Sequence, residues 1–285
     1  MNAKSLLLAV FVALSCTHSV SAAATDQLAL KFGLYTVEKP SSLIRQFRPI
    51  LDQVEVGLGR TLGKKVKIKT VIARTYAEGQ ENLASGQVDF SRMGPASYIA
   101  VKQRTPNISV LALESRRGRK VFHGIICVPS DSPVKDLSDL KGKSFAFGNE
   151  RSTIGRYLPQ MLLVKNEVRS KDLAHFAYLG RHDLVGAAVN SKKFDAGALK
   201  ESTFKALVKK GYKIREVARM DNTTQPWIAA AQVPPNIVKA LRQVLLGVRD
   251  TKALKALKSG PLLPGTDADY DHIRAAISQN QRFFE

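Results

Sequence analysis

From residue 28 to residue 257 the chain switches repeatedly between two periods: short apolar or alternating runs, and longer runs with apolar residues three and four apart. Strands and helices in alternation bury their faces as sheets layered between helices, which predicts an α/β fold with mostly parallel strands. Strands are expected at 28–34, 65–73, 88–91, 108–113, 121–128, 144–147, 176–179, 194–198 and 213–217. Helices are expected at 41–58, from Tyr76 towards Gly86, from Gly94-Pro95, and at 153–164, 183–190 and 202–209. In the first of these, Leu43, Ile44, Phe47, Ile50, Leu51, Val54 and Leu58 keep helical spacing.

Beyond residue 217 the character changes. The run PWIAAAQV precedes helical segments at 235–248, 251–257 and 267–283. No repeat or low-complexity tract occurs, and the order of elements predicts a discontinuous division. Residues 25–117 with 220–285 form one lobe and 118–219 the other. Ligands of such folds bind between domains, beyond the carboxyl ends of strands.

The N-terminus, MNAKSLLLAVFVALSCTHSVSAAATDQ, reads as a secretory signal over residues 1–22. Lys4 is its positive region, 6–14 its apolar core, and small residues follow as a cleavage site. The apolar run is too short to span a bilayer as a helix. Lipid anchoring through Cys16 is the alternative, but Leu14 stands one place too close to the cysteine. After cleavage Cys127 is the single cysteine left, so packing rather than a disulfide must hold the mature fold. The formal charge is +20, with the cations scattered. On an exported protein this argues against nucleic acid as a partner and for a surface that concentrates small anions.

The stretch FGNERSTIGRYLP, 147–159, sets Ser152, Thr153 and Gly155 where a strand stops and a helix begins. Two readings stay open. Ser152 is a helix cap and nothing more, or the free amides of the first turn and two hydroxyls hold an oxyanion, with Gly155 clearing the approach. The same kind of junction recurs at Gly94-Pro95, with Ser97 and Tyr98 one turn on, at Tyr76, and at Arg181-His182-Asp183. His182 can donate to an anion.

These residues resemble the periplasmic phosphate/phosphite/phosphonate-binding proteins of ABC importers. The resemblance runs from about Leu28 to Lys258 and is carried by FGLY at 32–35, ARTYAEG at 73–79, VD with GPASY within 88–98, DLSDLKGKSFAFG at 136–148, the S-T-x-G-x-x-x-P block at 152–159, and His182 followed by DAGA at 195–198. It implies a type II periplasmic binding fold, two α/β lobes joined by a hinge, that closes over a small phosphorus oxyanion. It implies a location in the periplasm, a permease partner in the inner membrane, a monomeric state, and no cofactor or metal. The family's tyrosine matches Tyr76, its hydroxyl pair Ser152 and Thr153, and its histidine His182. Three positions depart: Phe122 replaces a tyrosine of aminoalkylphosphonate binders, and Ser202 and Gln225 replace two acids that receive the amine. Losing those charges argues against an ammonium-bearing ligand.

An enzyme is not expected. GKS at 142–144 lacks the upstream glycine of a phosphate loop, and no nucleophile elbow, HExxH or paired-cysteine pattern occurs. A sensor of the same fold, reporting to a membrane kinase, is the alternative function.

Overall fold

The computed structural model describes residues 27–35 and 40–285. The expected signal sequence at 1–22, with Cys16, lies outside the described residues. In chain order the first part runs β1 (Gln27–Tyr35), α1 (Pro40–Leu62), β2 (Lys65–Ala73), α2 (Tyr76–Ala84), β3 (Phe90–Arg92), α3 (Pro95–Arg104) and β4 (Ser109–Leu113). A second set follows: β5 (Val121–Pro129), β6 (Ser144–Phe147), α4 (Leu158–Lys165), β7 (His175–Tyr178), α5 (His182–Asn190), β8 (Ala196–Lys200), α6 (Glu201–Lys209) and β9 (Ile214–Thr223). The chain then adds β10 (Pro226–Ala229), α7 (Pro235–Gly247), α8 (Thr251–Leu257) and α9 (Asp271–Ser278).

The strands form two five-stranded sheets, ordered β2-β1-β3-β10-β4 and β7-β6-β8-β5-β9. Each is mixed. β10 runs antiparallel to β3 and β4, and β5 antiparallel to β8 and β9, while β1 with β2 and β3, and β6 with β7 and β8, are parallel. Four strands of each sheet therefore point one way, as the alternating pattern predicts, and one is reversed. The reversal has a topological cause: β5 and β10 are the strands that enter a sheet straight from the other lobe.

The two crossings, 114–120 and 224–225, are bonded to each other. Thr224 N–H donates to Lys120 O at 2.8 Å, and Glu114 N–H to Gln225 O at 3.0 Å. Both crossings leave and enter at the same edge of the molecule. The carboxyl ends of β1, β3, β4, β6, β7 and β8 consequently gather there with the starts of β5 and β10, and that edge is the cleft.

Helix α1 covers the first sheet with Phe47, Ile50, Leu51, Val54 and Leu58, each no more than 2% exposed. Ile44, expected on that face, is 48% exposed. Phe32 of β1 stacks on Trp227 of β10 at 4.9 Å between centroids, so the core of the first lobe is built from strands far apart in sequence. Edge strand β2 alternates exposed Lys65, Lys67 and Lys69 with buried Val66 and Ile68, a charged fringe that discourages edge-to-edge pairing. In the second lobe Cys127 lies fully buried in β5, and burial pushes its thiol up to about 12. The last turn, Asn280–Phe283, leaves α9 and docks on the second sheet, where Phe283 meets Phe147 and Phe176 edge-on at 5.6 Å each. Among the described residues no helix is long and apolar enough to cross a membrane.

Three elements differ from their sequence readings in ways that shape the cleft. The helix expected at 153–164 opens with a π-type turn, Thr153–Tyr157, before α4. β8 runs on to Lys200, and β9 to Thr223, so both deliver side chains to the cleft.

Candidate functional site

The first-lobe wall is a network of neutral donors already bonded to one another. Tyr35, the last residue of β1, accepts Gly94 N–H on its Oη at 2.7 Å and donates to Ser97 Oγ at 3.1 Å. Gln80 Nε2 also donates to Ser97 Oγ, at 3.1 Å. A Cβ at Gly94 would stand 3.1 Å from Tyr35 Oη, so glycine there lets the phenol reach the start of α3, while Pro95 takes the first helical position. Tyr76 begins α2 behind the capping side chain of Thr75, its ring 4.3 Å from that of Tyr35. Burial raises both phenols above their ordinary range, so each is a neutral O–H.

The second-lobe wall starts at Ser152. Its Oγ accepts Gly155 N–H at 3.0 Å, so the capping reading holds. That same Oγ faces the Tyr76 phenol across the cleft. Thr153 Oγ1 accepts Ala96 N–H at 3.0 Å, a bond between lobes, and its own proton remains available to donate. The π-type turn widens the helix start, where first-turn amides have no helical partner. Gly155 does not line the cleft. A Cβ there would lie 2.8 Å from Asn149 N and 3.0 Å from Gly148 Cα, so this glycine packs the turn against its own loop rather than clearing a path for a ligand.

His182 opens α5. Its Nδ1 is buried without a hydrogen-bond partner among the described residues. Burial first, then nearby Lys200, push its pKa down to about 4, so the imidazole is neutral and presents one N–H. Its chain neighbours Arg181 and Asp183 are paired with each other.

The far end of the cleft is cationic. Arg92, ending β3, binds the fully buried carboxylate of Glu114 through two bonds of 2.7 and 3.1 Å. Arg116 reaches the same carboxylate at 3.2 Å. Lys200 Nζ lies 5.0 Å from the centroid of the Phe122 ring. Burial, with the charges of Arg92 and Arg116, pulls its pKa down to about 8. Asn222 Oδ1 and Gln225 Oε1, on the remaining side, are buried without a hydrogen-bond partner among the described residues.

Together these residues enclose a cavity of about 560 Å³ between the sheets. Tyr76, Gly94, Pro95, Phe122, Ser152, Thr153, His182, Ser202 and Gln225 all line it; Gly155 alone of the ten sequence candidates does not. Sequence reasoning missed Tyr35, Arg92, Arg116, Lys200 and Asn222, which line it too. The strand-to-helix junction that singled out Ser152 describes Arg92 and Lys200 equally well, and applied evenly it would have found both. Among the described residues no cluster of three or more His, Cys, Asp or Glu side chains forms a metal site.

A family model described as the periplasmic substrate-binding protein of phosphonate ABC transporters matches residues 32–270. The chain belongs to that family. The family is the substrate-binding component of a transporter, not an enzyme, and it works with a membrane permease. The chain is 29% identical over 210 residues to a probable ABC transporter phosphite-binding protein of Prochlorococcus marinus (strain MIT 9301), covering 69% of this chain and 67% of the other. It is also 29% identical over 203 residues to the phosphonates-binding periplasmic protein of Escherichia coli (strain K12), covering 68% and 58%. More than a third of that second relative thus lies outside the match. Among solved structures, PhnD1 of Prochlorococcus marinus (MIT 9301) in complex with methylphosphonate superposes with a TM-score of 0.73 at 20% identity, covering 90% of this chain and 99% of the other.

Proposed function

We propose that this protein captures phosphate, phosphite or a phosphonate between its lobes in the periplasm and hands it to an ABC permease of the inner membrane. The observation that carries this reading is the meeting of Tyr76, Ser152, Thr153 and His182, from three separate helix starts, around one cavity. Each is neutral and offers an O–H or N–H to a phosphoryl oxygen. Charge-assisted bonds of this kind are worth about 1.5–3 kcal/mol each, enough to hold an anion without the lasting grip of a buried ion pair.

Capture works by closure. Tyr76 belongs to one lobe and Ser152, Thr153 and His182 to the other, so the donor set is complete only when the lobes meet, and opening disperses it. The lobes divide close to residues 25–117 with 220–285 and 118–219, with β9 keeping residues 220–223 in the second. The chain acts as a monomer and reaches the periplasm by cleavage of its 1–22 signal.

Calorimetric titration with phosphate, phosphite, methylphosphonate and sulfate tests the reading. Binding of at least one phosphorus oxyanion, with a decrease in radius of gyration by X-ray scattering, is the expected result. Absence of heat with all three, or a profile unmoved by ligand, would overturn it.

A further inference from the structure

We infer that the ligand carries a second anionic group, a carboxylate or a second phosphoryl, held at the cavity end built by Lys200, Arg116 and Lys258. This rests on the oxyanion reading above and specifies the tail that accompanies the phosphoryl head.

Three observations carry it. First, the cleft does not end at the neutral donors. A second chamber of about 670 Å³ adjoins the first, and Arg116, Phe122, Lys200, Ser202 and Lys258 line both. A ligand seated by its head at Ser152 and Thr153 has room for a tail that passes between them.

Second, the charges at that boundary do not balance. Arg92, Arg116, Lys200 and Lys258 share one carboxylate, Glu114, which is already bonded to both arginines. The other acids of the two chambers are committed elsewhere: Glu201 to Lys205 and Arg219, Asp183 to Arg181, and Asp221 to His123. Among the described residues neither Lys200 nor Lys258 has a carboxylate partner. Lys258 is exposed, but Lys200 is half-buried, and a half-buried ammonium without a counter-ion is costly; an anionic tail removes that cost.

Third, Lys200 Nζ sits against the Phe122 ring at the boundary, where the uncharged Ser202 also lines both chambers. An ammonium tail would meet lysine and arginine; a methyl tail would leave the cations unanswered. Burial already depresses the Lys200 ammonium, the response of a cation short of a partner.

The test is titration calorimetry of the mature protein at neutral pH and constant ionic strength with propylphosphonate, 3-phosphonopropionate, methylenediphosphonate and 2-aminoethylphosphonate. At least one of the two doubly anionic compounds should bind ~10-fold or more tighter than propylphosphonate, a ratio set by one charge-assisted contact. Which of them wins tells carboxylate from phosphoryl. The amine should bind more weakly than propylphosphonate. In Lys200→Met the acidic preference should fall to within ~3-fold, and Lys200→Arg should restore it, which a merely structural lysine would not do. Equal affinity for the neutral and both acidic compounds, or an acidic preference that survives Lys200→Met, overturns the tail site and leaves the head site standing. If none of the four binds while phosphate, phosphite or methylphosphonate does, the tail site falls and the head site stands; if those three fail as well, the oxyanion reading itself falls, and this inference with it.

Discussion

The two lobes meet the cavity with walls of the same design in opposite states of completion. Both use a short loop between a strand and a helix start. In the first lobe the polar groups are spent on each other: Gly94 N–H on Tyr35, Tyr35 on Ser97, and Gln80 on Ser97. In the second, Ser152 caps its own turn, but Thr153 finds its partner in the other lobe and His182 Nδ1 finds none among the described residues. One wall is a finished surface; the other is finished only by what it closes upon. Affinity and the energy of closure should therefore be concentrated in the second lobe, and static stability in the first.

The sharpest way to break that contrast is Ser152→Ala with Thr153→Ala. Losing two charge-assisted bonds of at least about 1.5 kcal/mol each predicts a drop on the order of 100-fold in methylphosphonate affinity by calorimetry. Global stability in urea should fall by about 2 kcal/mol, since the Gly155 and Ala96 amides lose their acceptors. Comparable losses from Tyr35→Phe would erase the distinction between walls. A smaller effect comes from Gly155→Ala, whose new methyl would meet Asn149 N at 2.8 Å. Overpacking of this kind costs about 2 kcal/mol of stability by chemical denaturation, and it would show that this glycine serves its own loop.

Tyr35→Phe should cost about 1 kcal/mol, because it strands the Gly94 N–H; a neutral result in urea would mean the first wall is less finished than its bonds suggest. The last effect concerns acid. His182 in the folded protein titrates near 4, below its ordinary value of about 6.5. Between those values the unfolded chain binds a proton that the folded one refuses, so stability falls as pH drops through that window and rises again towards neutrality. Thermal unfolding of His182→Asn compared with the parent at pH 4 to 7 should show a shallower acid loss. Parallel curves would remove the histidine from the unfinished wall.

Much of this was legible in the sequence, and the failures share a cause. Strand and helix positions follow from period, since burial on one face imposes spacing; β2 was read to the residue. The junction residues Tyr76, Ser152, Thr153 and His182 were found because polar groups at helix starts are physically conspicuous. Arg92 and Lys200 stand at such junctions too, but in a chain of +20 a cation there reads as one more surface charge. Only the fold shows that these two are half-buried and face one shared acid. The reversed β5 and β10, and the docking of Phe283 on a sheet more than a hundred residues upstream, depend on contacts that no local window contains. The π-type turn escaped for a different reason: it differs from a helix start in one bond per turn, not in residue type.

That docked terminus has a consequence for synthesis. Phe283 is fully buried against Phe147 and Phe176 of the second sheet's aromatic cluster, so that sheet cannot complete its interior until residue 283 has been made. Synthesis from the N-terminus leaves it open on one flank until then. An emerging chain therefore keeps its second lobe unlocked for more than a hundred residues after the sheet's own strands β6 and β7 have been made.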